Sequence, residues 1–94
     1  MIMNTIIISY DLNNHSKRYD ELYATIKEAD GWWHYLDSFW IIKTGLSVND
    51  WTEKLKQKID KRDSLLVVEV SVKESNGWLP KDAWDWLREN TNIG

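Results

Sequence analysis

Asp11 closes the segment Ile8-Ser9-Tyr10-Asp11-Leu12, directly after the β-branched run Ile6-Ile7-Ile8. A carboxylate at the end of a central strand is held rigidly, and a Mg²⁺ or Mn²⁺ ion beside it would activate water for phosphodiester cleavage. One carboxylate is a poor ligand set for such a cation, so this chemistry calls for a second Asp11 across a two-fold axis. The same residue can instead make an Asx turn or bond the first turn of a following helix. Lys17 and Arg18 begin that helix, within reach of a phosphate at Asp11, and arginine suits a bidentate phosphate contact. Two basic residues on a helix surface are equally an ordinary solvated pair.

A second cluster is Trp32-Trp33-His34-Tyr35, with Trp40 shortly after it. His34 is a candidate general base or proton donor for metal-free RNA cleavage. It can also be a packed residue with one nitrogen satisfied. Trp32, Trp33 and Trp40 can stack bases, or serve as core and dimer interface, and Trp33, Tyr35 and Trp40 would line an aromatic sheet face or dimer cleft. Asp37 and Ser38 fall at a hairpin tip, where they could contact a ligand or simply form the turn. Neither histidine has a spacing partner for zinc, and no phosphate-cradling glycine loop or nucleophile elbow is present.

The chain that must position these residues has 94 of them, enough for one domain, residues 1–94, with ordinary apolar and charged fractions of 43% and 29%. The absence of cysteine excludes disulfides, thiolate zinc sites and cysteine nucleophiles. A net charge of −3 argues against coating duplex nucleic acid over a wide face. Lys43–Arg62 is locally basic, a pattern that usually marks the wet face of a helix. No apolar run is long enough to cross a membrane, and Met1–Tyr10 lacks a signal-peptide pattern, so a cytoplasmic location with no membrane partner is expected.

Periodicity predicts a strand over Met3–Tyr10 and a helix over His15–Ala29, capped by Asn14 or Ser16 and ended by Asp30-Gly31. A hairpin follows over Trp32–Thr44. With Asp37-Ser38 as its loop, Tyr35 pairs with Trp40 and Trp33 with Ile42 on one face, leaving Leu36, Phe39, His34 and Ile41 for the other. Ser47-x-x-Asp50 is a capping box that opens a helix over Ser47–Asp60. Ser64–Val72 reads as a strand too continuously apolar for a one-sided edge. Pro80 opens a last helix, about 79–90, that Trp78, Trp84 and Trp86 pin to the domain. This order is α+β and ferredoxin-like, βαββαβ with a C-terminal helix: two helices cover one sheet face and the other is left open for a homodimer.

The segments Ile6 to Asn13, Gly31 to Trp40, Asp63 to Val70 and Gly77-Trp78-Leu79-Pro80 resemble the small bacterial and phage proteins labelled "SinR family". The most specific part is Trp-Trp-His-Tyr-Leu-Asp-Ser, residues 32–38. Those proteins in turn look like distant relatives of the CRISPR-associated protein 2 family and the VapD-like endoribonucleases, which are ferredoxin-like homodimers. The resemblance implies metal-dependent cleavage of RNA or DNA by a strand-one aspartate from each protomer, a position that Asp11 matches. Ser38 falls where that group often has a serine. The thin basic surface and the Trp-Trp-His-Tyr cluster depart from its usual pattern.

The leading expectation is a dimeric, CRISPR-associated-protein-2-like nucleic-acid-processing protein, with Asp11 as metal ligand and catalytic residue. The competing one is a non-catalytic binding module for nucleotides, short single strands or a protein, through an aromatic sheet face. A toxin or antitoxin partner in a two-gene cassette is the third.

Overall fold

The computed structural model describes residues 3–14 and 19–91. Four strands and three helices follow one another as β1 (Asn4–Asp11), α1 (Asp20–Ile26), β2 (Gly31–Leu36), β3 (Phe39–Thr44), α2 (Val48–Lys56), β4 (Ser64–Glu69) and α3 (Lys81–Asn90). It is a small α+β protein. The strands form one antiparallel sheet in the spatial order β2-β3-β1-β4, so β1 is central and the last two residues of its register, Tyr10 and Asp11, lie against Leu65 and Ser64.

Alternation along β1 divides the interior into two cores. Ile6, Ile8 and Tyr10 point to one face, where Trp40 and Ile42 of β3 join Leu22 and Ile26 of α1 and Trp51 and Leu55 of α2. Ile7 points to the other, towards Trp33, Ile41 and the α3 residues Ala83 and Leu87. The polar ends of the buried indoles are all matched: Trp51 Nε1 donates to Thr44 Oγ1 at 2.9 Å, and Trp33 Nε1 to the Ala83 carbonyl at 3.1 Å. The second bond ties α3 to β2. Thus α3 covers part of the face expected to stay open, and Leu66 and Val68 of β4 are left exposed on the uncovered part.

The capping box is present as expected, with Ser47 Oγ accepting from Asp50 N–H at 3.1 Å and Asp50 Oδ2 from Ser47 N–H at 3.2 Å. Several boundaries differ. The helix expected over His15–Ala29 occupies Asp20–Ile26, because Tyr19 already has non-helical dihedrals and Lys27 begins a turn. No side chain caps it at Tyr19, and Ser16 lies outside the described residues. The second helix ends at Lys56 rather than Asp60, and the last strand at Glu69 rather than Val72. That strand is an edge strand wet on one side: continuous apolarity over Leu65–Val68 marked β propensity, not burial on both faces.

The hairpin turns at Asp37-Ser38, but its register is corrected by a bulge. Trp33 lies opposite Ile41 and Leu36 opposite Phe39, so His34 and Tyr35 together face Trp40. The extra residue reverses the expected grouping. Trp33 belongs with Ile41 on the α3 face, and its ring meets Tyr35 at 5.3 Å. Trp32 and His34 instead approach Trp40 on the α1 face. Trp84 and Trp86 pack against the α3-side core, whereas Trp78 is fully exposed and pins nothing.

Candidate functional site

Because β1 sits between β3 and β4, its C-terminal end lies beside the β2–β3 hairpin tip; the backbone N–H of Tyr10 donates to the Ser38 carbonyl at 3.1 Å. Ser38 has φ 56°, in the left-handed region that side chains other than glycine, asparagine and aspartate rarely adopt. The C-terminal end of α1 closes the third side, where Lys27, its C-cap residue, donates its backbone N–H to the Tyr23 carbonyl at 3.0 Å. The result is an open cleft of about 510 Å³ lined by Tyr10, Asp11, Leu12, Tyr23, Lys27, His34, Asp37, Ser38 and Trp40.

Its wall is aromatic and tightly ordered. The His34 and Trp40 rings lie parallel, 2° apart in plane and 3.8 Å between centroids. His34 Nδ1 is 3.0 Å from the Phe39 carbonyl oxygen. A carbonyl only accepts, so Nδ1 is the donor in this contact and Nε2 is the ring nitrogen left to face a ligand. Beneath the stack, buried Trp40 donates from Nε1 to Tyr10 Oη at 2.9 Å. Burial raises the Tyr10 phenol above its ordinary range; the Trp40 bond opposes this, while Tyr23 and Asp37 add to the rise. Tyr10 is therefore a neutral hydroxyl at physiological pH, with its own proton to donate.

Charge sits at the rim. Asp11 and Asp37 are exposed, and among the described residues neither carboxylate has a hydrogen-bond or ion-pair partner. Lys27 lines the same cleft, with Nζ 5.0 Å from the centre of the Trp32 ring. Among the described residues no group of three histidine or acidic side chains converges as a metal site.

A different aspartate holds the frame. Asp63 accepts from the backbone N–H groups of Asn13 and Asp60, both at 2.7 Å, and from the Tyr19 hydroxyl at 2.8 Å. Asn14 Nδ2 reaches Asp60 Oδ2 at 3.0 Å in the same knot, which fastens the chain leaving β1 to the chain entering β4. Burial pushes the Asp63 carboxyl upward, but these donors more than offset it and hold the group below its usual range.

Of the residues singled out in the sequence, Asp11, His34, Asp37, Ser38 and Trp40 share the cleft. Trp33 and Tyr35 do not: the bulge leaves them on the other side of the sheet. Lys17 and Arg18 lie outside the described residues. Sequence reading missed Tyr10, Tyr23 and Lys27 as site residues. The i, i+4 spacing of Tyr23 and Lys27 was the available signal, but Tyr23 also fits the buried stripe of its helix. Comparison with protein-family models, with curated proteins and with solved structures gives no match. No helix among the described residues is long and apolar enough to cross a membrane.

Proposed function

We propose that the cleft binds one unpaired nucleotide, free or within a single strand, and that the protein handles nucleic acid. The observation that carries this reading is the His34–Trp40 stack at the cleft wall. A base laid on the ring face of His34 not covered by Trp40 continues that stack, a contact worth about 1–3 kcal/mol. Lys27 meets the phosphate, and the Tyr10 hydroxyl supplies a hydrogen bond. With two carboxylates at the rim and a net charge of −3, the site suits a ligand with few phosphates rather than a duplex. We read the element order as ferredoxin-like and the chain as a homodimer, in keeping with its resemblance to the "SinR family", CRISPR-associated protein 2 and VapD-like proteins.

A second reading is a Mg²⁺- or Mn²⁺-dependent phosphodiesterase, favoured by Asp11 lining the same cleft. It needs two copies of Asp11 at a dimer axis, with Lys17 and Arg18 steering phosphate. A monomeric mass in light scattering at micromolar concentration would remove it.

Calorimetric titration with mononucleotides, short single-stranded RNA and DNA, and duplex DNA tests the primary reading. Unpaired ligands are expected to bind and the duplex not, with Lys27→Gln weakening binding roughly tenfold through loss of one charge-assisted contact. Binding of the duplex alone, or of nothing, would refute it.

A further inference from the structure

We propose that this cleft cleaves single-stranded RNA without a metal, with His34 as general base. The proposal rests on the nucleotide-binding reading and adds a reaction to it. Two independent contacts fix the His34 ring: the parallel stack on Trp40 at 3.8 Å and the Nδ1–H bond to the Phe39 carbonyl at 3.0 Å. A histidine that only filled space would need neither its exposed position nor a defined tautomer. Here the backbone carbonyl holds one nitrogen as donor, leaving Nε2 as the base, the arrangement general-base catalysis requires. The bulge at His34 and Tyr35 turns this ring towards Trp40 and the cleft, and bulges commonly re-aim a side chain beside a site.

The surroundings specify the substrate. The exposed carboxylates of Asp11 and Asp37 can accept hydrogen bonds from ribose hydroxyls, a role carboxylates serve in nucleotide sites. Lys27, which lines the same cleft, supplies a positive charge for the phosphate. In the step itself, His34 Nε2 takes the proton of the ribose 2′-hydroxyl, and the 2′-oxygen forms a bond to the adjacent phosphorus. The bond from phosphorus to the 5′-oxygen breaks, its electron pair staying on that oxygen, which takes a proton from solvent water. The imidazolium then returns its proton to solvent. The products are a 2′,3′-cyclic phosphate and a 5′-hydroxyl end; no oxidant, reductant or metal enters the balance.

The test uses the full chain with end-labelled single-stranded RNA in excess chelator, and the same strand with every 2′-hydroxyl replaced by hydrogen. Binding is followed separately by calorimetry. Expected are cleavage of the RNA to cyclic-phosphate ends, binding of the 2′-deoxy strand without cleavage, and loss of rate by about 10²–10⁴ in His34→Asn. The asparagine amide can still donate to the Phe39 carbonyl, but the substitution removes the stacking ring, so binding should weaken by roughly 5–150-fold. The rate loss is read at saturating RNA, where weaker binding does not contribute. RNA that binds but stays intact in chelator would overturn the proposal and leave the binding reading standing. So would wild-type cleavage by His34→Asn, or cutting of the 2′-deoxy strand. Failure of any single strand to bind would overturn both.

Discussion

Asp63 and Asp11 are carboxylates of one chain with opposite surroundings. The oxygens of Asp63 are taken up by two backbone N–H groups and a tyrosine hydroxyl, whereas Asp11 is exposed at the cleft rim without a partner among the described residues. Asp60, held below its usual range by the Arg62 N–H and by Asn14, belongs to the same knot as Asp63. A carboxyl whose folded pKa is depressed contributes stability above its unfolded pKa of about 3.9, and loses it as pH falls through the lower folded value. Asp63→Asn should therefore lower the urea midpoint at pH 7, with the gap to wild type narrowing below about pH 4. Parallel pH profiles would show that the depressed pKa of Asp63 does not contribute to stability. Asp11→Ala should leave the midpoint within about 0.5 kcal/mol of wild type, as expected for an exposed group without partners. Ser38 offers a third measurement. Its φ of 56° suits glycine better, so Ser38→Gly should raise stability by about 0.5–1 kcal/mol in denaturant unfolding.

Elements were legible where local chemistry decides them and obscure where packing does. Ser47-x-x-Asp50 announced the start of α2, and Ser47→Ala should cost about 1 kcal/mol by thermal or denaturant unfolding. The stripe Trp51 and Leu55 was equally visible. Leu55 is fully buried, and Leu55→Ala is expected to cost about 2–5 kcal/mol. The hairpin loop at Asp37-Ser38 was readable too, since apolar runs flank it on both sides. The bulge was not: nothing in Trp-Trp-His-Tyr says that His34 and Tyr35 will share one partner. That single unread residue exchanged the two faces of β2 and separated Trp33 and Tyr35 from the cleft. Likewise the continuous apolarity of β4 could not say whether one face or two would be covered. The C-terminal helix was expected, but that it would lie on the sheet, fastened by Trp33 Nε1, depends on contacts fifty residues apart.

At the scale of the whole molecule, one sheet separates two aromatic populations. Trp40 and Trp32 adjoin the cleft on the α1 side, while Trp33 packs beneath α3 and Trp84 and Trp86 of α3 pack against the same core. Part of the candidate site was visible in the sequence, as Asp11, His34, Asp37, Ser38 and Trp40, because residues at strand ends and hairpin tips gather naturally at one end of a sheet. Its helical side, Tyr23 and Lys27, depends on where α1 lands and was hidden. The division of the tryptophans provides the most direct test of nucleotide binding. The chain's seven indole N–H groups give separate signals in a nitrogen–proton correlation spectrum, which can be followed during titration with a short single-stranded RNA in chelator. The expected result is a saturable shift of the Trp40 and Trp32 signals, with Trp33, Trp84 and Trp86 unmoved. Shifts confined to the α3-side indoles, or none at all, would contradict the assignment of the cleft as a nucleotide site.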